Sequence, residues 1–376
     1  MKKLLHISII SLAFFITINL SLKAQLFQCT VGTRPINKSI NSKIASITPA
    51  DVGTVETIRV IVHFPLSTAG TGNFTETTDY YGVANQYTGY WLAQLYIDRS
   101  NYWLNSNQQM TQILSYKPPI PVNSINLQYK LAGVIFHRDD NLYNTRDIGI
   151  MNNYIDANNH DVCINVFLYP GTWGSGAAPY LGADYCFING TKSAYDDYLS
   201  YGNWGIDNAL AHAATHEIGH CLQLSHPKRS PGGVCCTNDN PSCLDNCDDT
   251  PTYLELLNDG YTDPCIWNGP GYSNNVMDYS PSEEAWTPCQ IGIIHTEIEN
   301  NRTMLYPCGY ITDALNVISN ISTINKVYIA KNITVNNVTV SVTKALYTYS
   351  ETFETTGAFE VKLGAILDVS TAPKCN

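Results

Sequence analysis

Basic residues are scarce in this chain. Its 376 residues include 21 lysines and arginines against 32 aspartates and glutamates, so the formal net charge is −11. No run of basic residues offsets this acidic balance. Because a surface of this sign repels nucleic-acid phosphates and anionic lipids, we expect no nucleic-acid partner and no electrostatic binding to membranes.

Long apolar stretches are also absent beyond the first 24 residues. Two lysines follow the initial methionine, an apolar run extends to about Leu22, and Ala24 precedes the expected cleavage site. This layout is typical of a secretory signal peptide, which we assign to residues 1–24. No later stretch is long and apolar enough to cross a bilayer. The sequence therefore predicts a secreted, extracellular protein without a transmembrane anchor after signal removal.

Cysteine is abundant, with twelve residues, and six of them lie between Cys235 and Cys289. In an oxidising compartment such cysteines pair as disulfides. A zinc knuckle is the alternative, because Cys243 and Cys247 are separated by three residues. Export favours disulfides, and the sequence does not determine which cysteines pair.

The order of strand-like and helical segments predicts an α+β fold. Alternating and β-branched residues predict strands at 57–64, 125–137, 161–168 and 180–188. Apolar residues at helical spacing predict helices at 87–105, 208–224 and 286–305. The segment between the last two helices is long, irregular and rich in cysteine, proline, glycine and aspartate, which is typical of a functional or cross-linked loop.

The segment His216-Glu-Ile-Gly-His220-Cys-Leu-Gln-Leu-Ser-His226 carries the chemistry. His216 and His220 are four residues apart, so on a helix both imidazoles lie on one side, at a spacing that suits two zinc ligands. If the helix ends near Gln223, His226 can turn back as the third ligand and leave the fourth position open for water. Glu217 lies beside the ligands, where a carboxylate can accept a proton from that water.

A second element, Asn275-Val-Met-Asp-Tyr279, follows about 50 residues downstream. Together with the zinc helix it resembles the metzincins, in which a tight turn places a methionine beneath the metal. More specifically, Asp248-Asp-Thr-Pro251, Cys265 and Trp286-Thr-Pro-Cys-Gln290, in this order around the turn, resemble the pappalysin family. The resemblance covers about residues 56–310.

This resemblance implies a metzincin-like catalytic domain over residues 56–310. An upper mixed β-sheet with helices and an irregular, disulfide-stapled lower subdomain are expected to enclose an active-site cleft. Residues 25–55 are predicted as a linker or short propeptide. Partial alternation of apolar and polar residues predicts a small C-terminal β module at 311–376.

The resemblance also implies roles for single residues. Met277 is the structural methionine of the turn, and Asp278 supports the turn through hydrogen bonds. Tyr279 stabilises the oxyanion, with a packed aromatic side chain as the alternative. Cys265 and Cys289 are each implied to pair with one of four upstream cysteines, namely Cys235, Cys236, Cys243 and Cys247.

The sequence departs from the family pattern at Gln223, which replaces the glycine between the second and third ligands. That corner often needs a positive φ, where a Cβ costs about 1 kcal/mol or more. Gln223 therefore bears strain or shifts the turn, and a shifted turn would misplace His226. This favours an alternative function, a catalytically impaired secreted binding or adhesion protein on a protease-like scaffold. Retention of Glu217 beside three histidines argues against that alternative.

Two further assignments stay open. Cys29 is early enough to occupy the open zinc position in an unprocessed protein, although a disulfide is favoured in a secreted chain. Calcium suits the hard oxygen ligands of the irregular loop. A solvated acidic loop with Asx turns accounts for these residues equally well; they are Asp239, Asp245, Asp248, Asp249 and Asp263.

These assignments predict a zinc-dependent endopeptidase that acts on protein or peptide substrates. Zinc polarises the scissile carbonyl and activates a water, and Glu217 acts as the general base. Tyr279 offsets the charge of the oxyanion. An extended substrate is expected to add to the edge of the upper sheet, along residues 180–188.

Overall fold

The structure of this chain is a computed structural model. It describes residues 55–156, 163–171, 175–230, 234–238, 244–266, 271–279, 283–301, 314–317, 326–329, 332–340, 345–349, 352–362 and 366–370. The predicted signal peptide, almost all of the predicted linker and Cys29 lie outside the described residues.

A five-stranded sheet forms the upper part of the fold. Its strands are β1 (Glu56–Leu66), β2 (Leu127–Arg138), β3 (Ile164–Tyr169), β4 (Gly176–Ala177) and β5 (Tyr185–Asn189), in the order β2-β1-β3-β5-β4. The pairs β1–β2, β1–β3 and β3–β5 are parallel, and β4 pairs antiparallel with β5. The sheet is therefore mixed, as expected.

The predicted position of the substrate-binding edge is wrong. We expected the edge along residues 180–188, but β5 lies inside the sheet between β3 and β4. The edge strand next to β5 is β4, and β2 forms the opposite edge. β4 is only two residues long and therefore too short to show a periodic pattern.

Side-chain alternation in the central strands creates two apolar layers. All eleven residues of β1 are buried. Ile58, Val60 and Val62 lie in the main hydrophobic core. Phe167 and Tyr169 of β3 lie in a second cluster on the other side. A strand covered on both faces has a nearly continuous run of apolar residues. This pattern is why the sequence predicted β1 and β3.

The helices follow the predicted order and include several that the sequence did not reveal. They are α1 (Gly89–Leu104), α2 (Asp140–Thr145), α3 (Ile148–Asp156), α4 (Thr191–Tyr201), α5 (Asn203–Ile206), α6 (His212–Cys221), α7 (Tyr253–Asn258) and α8 (Pro288–Asn301). A π-helical stretch, Asp207–Ala211, leads directly into α6. Within the described part of the chain, no helix combines the length and apolarity needed to span a membrane.

Disulfides and buried polar contacts hold the lower region. Cys235 pairs with Cys265 and Cys247 with Cys289, which confirms the pairing implied by the family resemblance. Asp249 Oδ2 accepts a hydrogen bond from the Cys289 backbone N–H, in the first turn of α8, at 2.8 Å. A carboxylate at this position satisfies one of the free N–H groups of a helix start. The Asp-Thr-Pro element thus has a structural role at the start of α8.

The described residues of the tail form eight short strands: β6 (Ala314–Val317), β7 (Lys326–Ile329), β8 (Asn332–Val335), β9 (Val338–Val340), β10 (Ala345–Tyr349), β11 (Thr352–Thr355), β12 (Phe359–Val361) and β13 (Ile366–Ser370). They form three parallel sheets, β13-β10-β7, β11-β8-β6 and β12-β9.

The tail strands pair in parallel with strands that lie about 20 residues away along the chain. Ala314 pairs with Asn332, and Asn332 pairs with Thr352. Ile333 and Val340, from two different sheets, share one apolar cluster. Regular parallel pairing around a shared core is the pattern of a β-solenoid. The sequence predicted β structure here but not this arrangement.

Packing of α1 on the sheet gives a first testable prediction. A Cβ added at Gly89 would lie 2.5 Å from Phe136 and 3.3 Å from Phe64. Gly89→Ala should therefore lower the free energy of unfolding by about 1–3 kcal/mol through overpacking. Gly292 in α8 has no heavy atom within 4 Å of its added Cβ. Gly292→Ala should raise stability by about 0.5–1 kcal/mol. Urea denaturation measures both, and equal effects would contradict this packing.

Candidate metal centre

Helix α6 brings the first two histidines together. His216 and His220 lie one turn apart, with ring centroids 4.7 Å apart. Small residues precede them and are completely buried against the sheet, namely Ala209, Ala211, Ala213 and Ala214. Small side chains permit close approach of a helix to a sheet. The helix is therefore held where both imidazoles face the lower region.

The end of α6 turns the chain toward the third histidine. Gln223 adopts φ = +72°. The Leu224 N–H donates to the Gly219 carbonyl at 3.0 Å, and the Gln223 N–H donates to the His220 carbonyl at 3.1 Å. A left-handed residue at the helix end, followed by a residue whose N–H bonds to the carbonyl five residues earlier, is the Schellman ending of a helix. Of the two outcomes foreseen for Gln223, the structure shows the strained backbone in the turn that glycine would make.

The three histidine rings converge on one point. His216 Nε2 lies 3.1 Å from His220 Nε2 and 3.2 Å from His226 Nε2, and the last two nitrogens are 3.0 Å apart. Zinc–nitrogen bonds of about 2.0–2.1 Å in a tetrahedron place ligand nitrogens about 3.3 Å apart. All three residues are buried and form a group that could hold a metal ion. The donor set and its spacing fit zinc.

Backbone carbonyls fix the orientation of each ring. His216 Nδ1 lies 2.7 Å from the Val276 carbonyl and His220 Nδ1 lies 2.7 Å from the Leu224 carbonyl. His226 Nδ1 lies 3.4 Å from a third carbonyl, that of Ser230. Because a carbonyl only accepts, each Nδ1 carries the proton and donates. Each Nε2 lone pair is then available for a metal, the arrangement typical of histidine ligands.

Burial keeps these histidines neutral. It lowers the pKa of His216 to about 4 and that of His226 to about 3, and it lowers the pKa of His220 well below the ordinary value. The neutral imidazole is the form that binds a metal, so no proton has to leave at neutral pH.

The segment Asn275–Tyr279 lies under the histidines and is stabilised by α8. Asn275 and Gln290 exchange two side-chain hydrogen bonds, at 2.9 and 3.0 Å. Met277 is completely buried. A Cβ added at Gly219 of α6 would lie 2.5 Å from the Met277 sulfur. The methionine therefore packs directly against the backbone of the helix that carries the first two histidines.

Tyr279 ends this segment beside the histidines. Its ring centroid lies 5.9 Å from that of His216 and 5.0 Å from that of His226. The side chain is 5% exposed. The structure thus brings together the six residues that the sequence singled out, namely His216, Glu217, His220, His226, Met277 and Tyr279.

Comparison with known families agrees with this geometry. Residues 144–299 match the model of a peptidase family described as pregnancy-associated plasma protein-A. The match supports a metallopeptidase domain of the pappalysin family over these residues. No curated protein matches it closely enough to count as a relative. The family match begins after β2, and β1 and β2 belong to the same sheet as β3, which lies within the match.

Glu217 of the metallopeptidase is completely buried next to the edge strand. A Cβ added at Gly176 of β4 would lie 2.5 Å from Glu217 Oε1 and 2.6 Å from its Cγ. The glycine therefore makes room for the carboxylate. Sequence reasoning missed Gly176, although a glycine within a strand is a known signal of close approach by another group.

Glu283 is a second buried carboxyl group that sequence reasoning missed. Neither of its side-chain oxygens has a hydrogen-bond partner, and the residue is 2% exposed. Burial raises the pKa of Glu283 well above its ordinary value, and the charges of Glu217 and Asp278 raise it further. The neutral acid is therefore favoured beside the charged residues of the site. No pattern in the sequence distinguishes Glu283 from a surface glutamate.

The described acidic loop residues make local contacts rather than a calcium site. Asp245 accepts from the Cys247 N–H at 3.1 Å, and Asp263 accepts from the Cys265 N–H at 3.1 Å. Contacts of this kind are Asx-type turns. Among the described residues, no three carboxylates lie close enough together to share an ion. Asp239 lies outside the described residues, and the calcium prediction gains no support.

Cys221 follows the second histidine and faces the core. It is completely buried, and its Sγ lies 3.4 Å from the Tyr185 carbonyl of β5.

The positive φ of Gln223 gives a second testable prediction. Gln223→Gly removes the Cβ penalty and should raise the free energy of unfolding by about 1 kcal/mol. Gln223→Ala keeps the penalty and should leave stability nearly unchanged. Thermal denaturation of the metal-free protein measures the difference. A Gly variant no more stable than the Ala variant would show that this corner carries no strain.

Proposed function

We propose that this metallopeptidase is a secreted, zinc-dependent endopeptidase that hydrolyses peptide bonds in protein or peptide substrates. The single observation that carries the proposal is the convergence of three buried Nε2 atoms, each on a ring whose Nδ1 is bound to a carbonyl. Three neutral imidazoles leave one tetrahedral position open, as a catalytic zinc site requires.

His216, His220 and His226 would hold the zinc. When bound, zinc supplies a Lewis acid for the scissile carbonyl and lowers the pKa of water at the open position. Three nitrogen donors at this spacing suit zinc better than calcium, which prefers six or more oxygen ligands.

Glu217 would act as the general base. Its carboxylate follows the first ligand on α6 and is excluded from bulk solvent. There it would take a proton from the attacking water and return it to the leaving amine. The Tyr279 hydroxyl would donate a hydrogen bond to the oxyanion, an assignment supported by the position of its ring beside His226.

The substrate would add to β4, the edge strand next to β5. This strand runs antiparallel to β5 and lies against Glu217 through Gly176. An extended peptide can pair with the outer backbone groups of such an edge. Its scissile bond would then pass close to the general base.

Secretion is supported by the cysteine chemistry. Disulfides such as Cys235–Cys265 and Cys247–Cys289 form and persist in oxidising compartments. We keep the proposed division of the chain into signal peptide (1–24), linker or short propeptide (25–55), catalytic domain (56–310) and C-terminal β module (311–376).

A catalytically impaired binding protein is the second candidate function, and Gln223 is the residue that favours it. Gln223 adopts the positive φ that the turn needs. His226 then reaches the other two histidines. This observation supports the peptidase over the binding protein.

A third prediction tests the general base. Glu217→Gln keeps the size of the side chain but cannot accept the water proton, so kcat/KM should fall about 10²–10⁴-fold. Zinc stoichiometry should stay at the wild-type value. Casein cleavage and zinc analysis measure both. Glu255→Gln, which changes a carboxylate in the capping box of α7, is the matched control and should stay active. A fully active Glu217→Gln protein would reject the proposed mechanism.

A fourth prediction concerns the contact between β4 and the base. A Cβ in Gly176→Ala would displace Glu217, because the added atom lies far inside contact distance of the carboxylate. We expect kcat to fall at least about tenfold, since small displacements of a catalytic group are costly. Zinc content should not change. Peptide hydrolysis by this variant, compared with Gly292→Ala, measures the effect, and equal activity of the two would exclude the contact from catalysis.

A further inference from the structure

Three buried charged residues behind the histidines are not used by the zinc chemistry. Lys228 Nζ donates to Asp278 Oδ2 at 2.5 Å, and Arg229 Nε donates to Asp278 Oδ1 at 3.0 Å. The side chains of Lys228, Arg229 and Asp278 are 2%, 8% and 2% exposed. We call these three residues the basic clamp.

The basic clamp carries one surplus positive charge, because two cations share one carboxylate. Burial alone would raise the pKa of Asp278, but the charges of Lys228 and Arg229 lower it far below its ordinary value. Asp278 is therefore ionised. Burying three charges is costly unless they are paired and hydrogen-bonded, and in some proteins such clusters fix one arrangement of the chain.

Lys228 connects the loop of the third histidine to the Asn275–Tyr279 segment. It follows His226 by two residues, and its carbonyl accepts a hydrogen bond from the Cys236 N–H at 2.9 Å. Its ammonium group meets Asp278 in the segment whose Val276 carbonyl orients His216. The Lys228–Asp278 pair thus fixes the loop that carries His226 relative to the segment whose carbonyl binds His216.

Arg229 connects the same loop to Tyr279. Its guanidinium carbon lies 4.6 Å from the centroid of the Tyr279 ring. Arg229 Nη2 donates to the Cys265 carbonyl at 3.0 Å, next to the Cys235–Cys265 disulfide. A guanidinium over a ring face is attracted to the ring, more strongly when both are shielded from water. Arg229 therefore holds the phenol ring beside the histidines.

We propose that Lys228 and Arg229 are positioning residues of this metallopeptidase. Lys228 sets metal affinity by holding the loop of the third histidine, and Arg229 sets turnover by holding Tyr279. The part concerning turnover rests on the proposed peptidase function. Each residue can be changed alone without leaving Asp278 unpaired, because the other cation remains.

The first experiment measures the zinc dissociation constant by chelator competition and the absorption spectrum of the cobalt(II)-substituted protein. Lys228→Met should weaken zinc binding about tenfold or more, the usual effect of losing a group that orients a ligand. It should also change the cobalt spectrum. Wild-type affinity in Lys228→Met would overturn the role of Lys228.

Arg99→Met is the matched control for both residues. Arg99 makes a bidentate ion pair with Asp207 at 2.6 Å and lies 4.3 Å from the ring centroid of Tyr102. It thus reproduces the ion pair and the aromatic contact of Arg229 without contacting the segment under the histidines. Arg99→Met should lose thermal stability but keep wild-type zinc affinity and turnover.

The second experiment separates kcat from KM. Arg229→Met should lower kcat about tenfold with KM within about twofold, because the lost interaction acts in the transition state. Arg229→Lys, which keeps the charge, should recover most of the loss. In a Tyr279→Phe background, Arg229→Met should have almost no effect, since the two residues act as one unit. An equal fall in kcat in both backgrounds would overturn the role of Arg229.

The measurements distinguish an incorrect positioning role of the basic clamp from an incorrect peptidase function. A wild-type protein that binds zinc but cleaves no substrate would refute the peptidase function. The zinc affinity and cobalt spectrum of Lys228→Met would still decide the role of Lys228. A wild-type affinity and spectrum in that variant would then overturn the inference.

Discussion

The structure depends on one constraint: three imidazoles must be buried together while each Nδ1 proton has an acceptor. The acceptors are the carbonyls of Val276, Leu224 and Ser230. Any ring turned the other way would direct an N–H group at its neighbours instead of a lone pair. The lower segments of the chain are therefore ordered around these carbonyl positions, and a metal is the natural partner of the three lone pairs.

The Asn275–Tyr279 segment both orients one histidine ring and packs against the helix that carries two of the histidines. Val276 supplies a carbonyl to His216, and Met277 packs beneath Gly219 of α6. Because the lower region lacks a sheet of its own among the described residues, side-chain contacts and disulfides must hold this segment. The Asn275–Gln290 pair secures it to α8, and the Cys247–Cys289 disulfide secures the start of that helix.

The surroundings of three buried carboxyl groups near the histidines determine whether each group is ionised or neutral. Asp278 is ionised because two cations contact it. Glu283 has no hydrogen-bond partner, and its raised pKa favours the neutral acid. Glu217 is buried against Gly176, and its negative charge contributes to the shift at Glu283. Neighbours of this kind, more than burial alone, divide carboxyl groups into bases, acids and structural anions.

The sequence by itself determined the features that arise from local periodicity and spacing. Four-residue spacing placed His216 and His220 on one helix face, and the corner before His226 predicted strain at Gln223. The tertiary structure alone decided that β4 is the edge strand next to β5, that Gly176 lies against Glu217, and that Lys228 binds Asp278, 50 residues away along the chain. The physical reason is the distance along the chain over which each effect acts. Helix geometry fixes side-chain direction over a few residues. Contacts between irregular segments depend on how the whole chain packs, which no local pattern encodes.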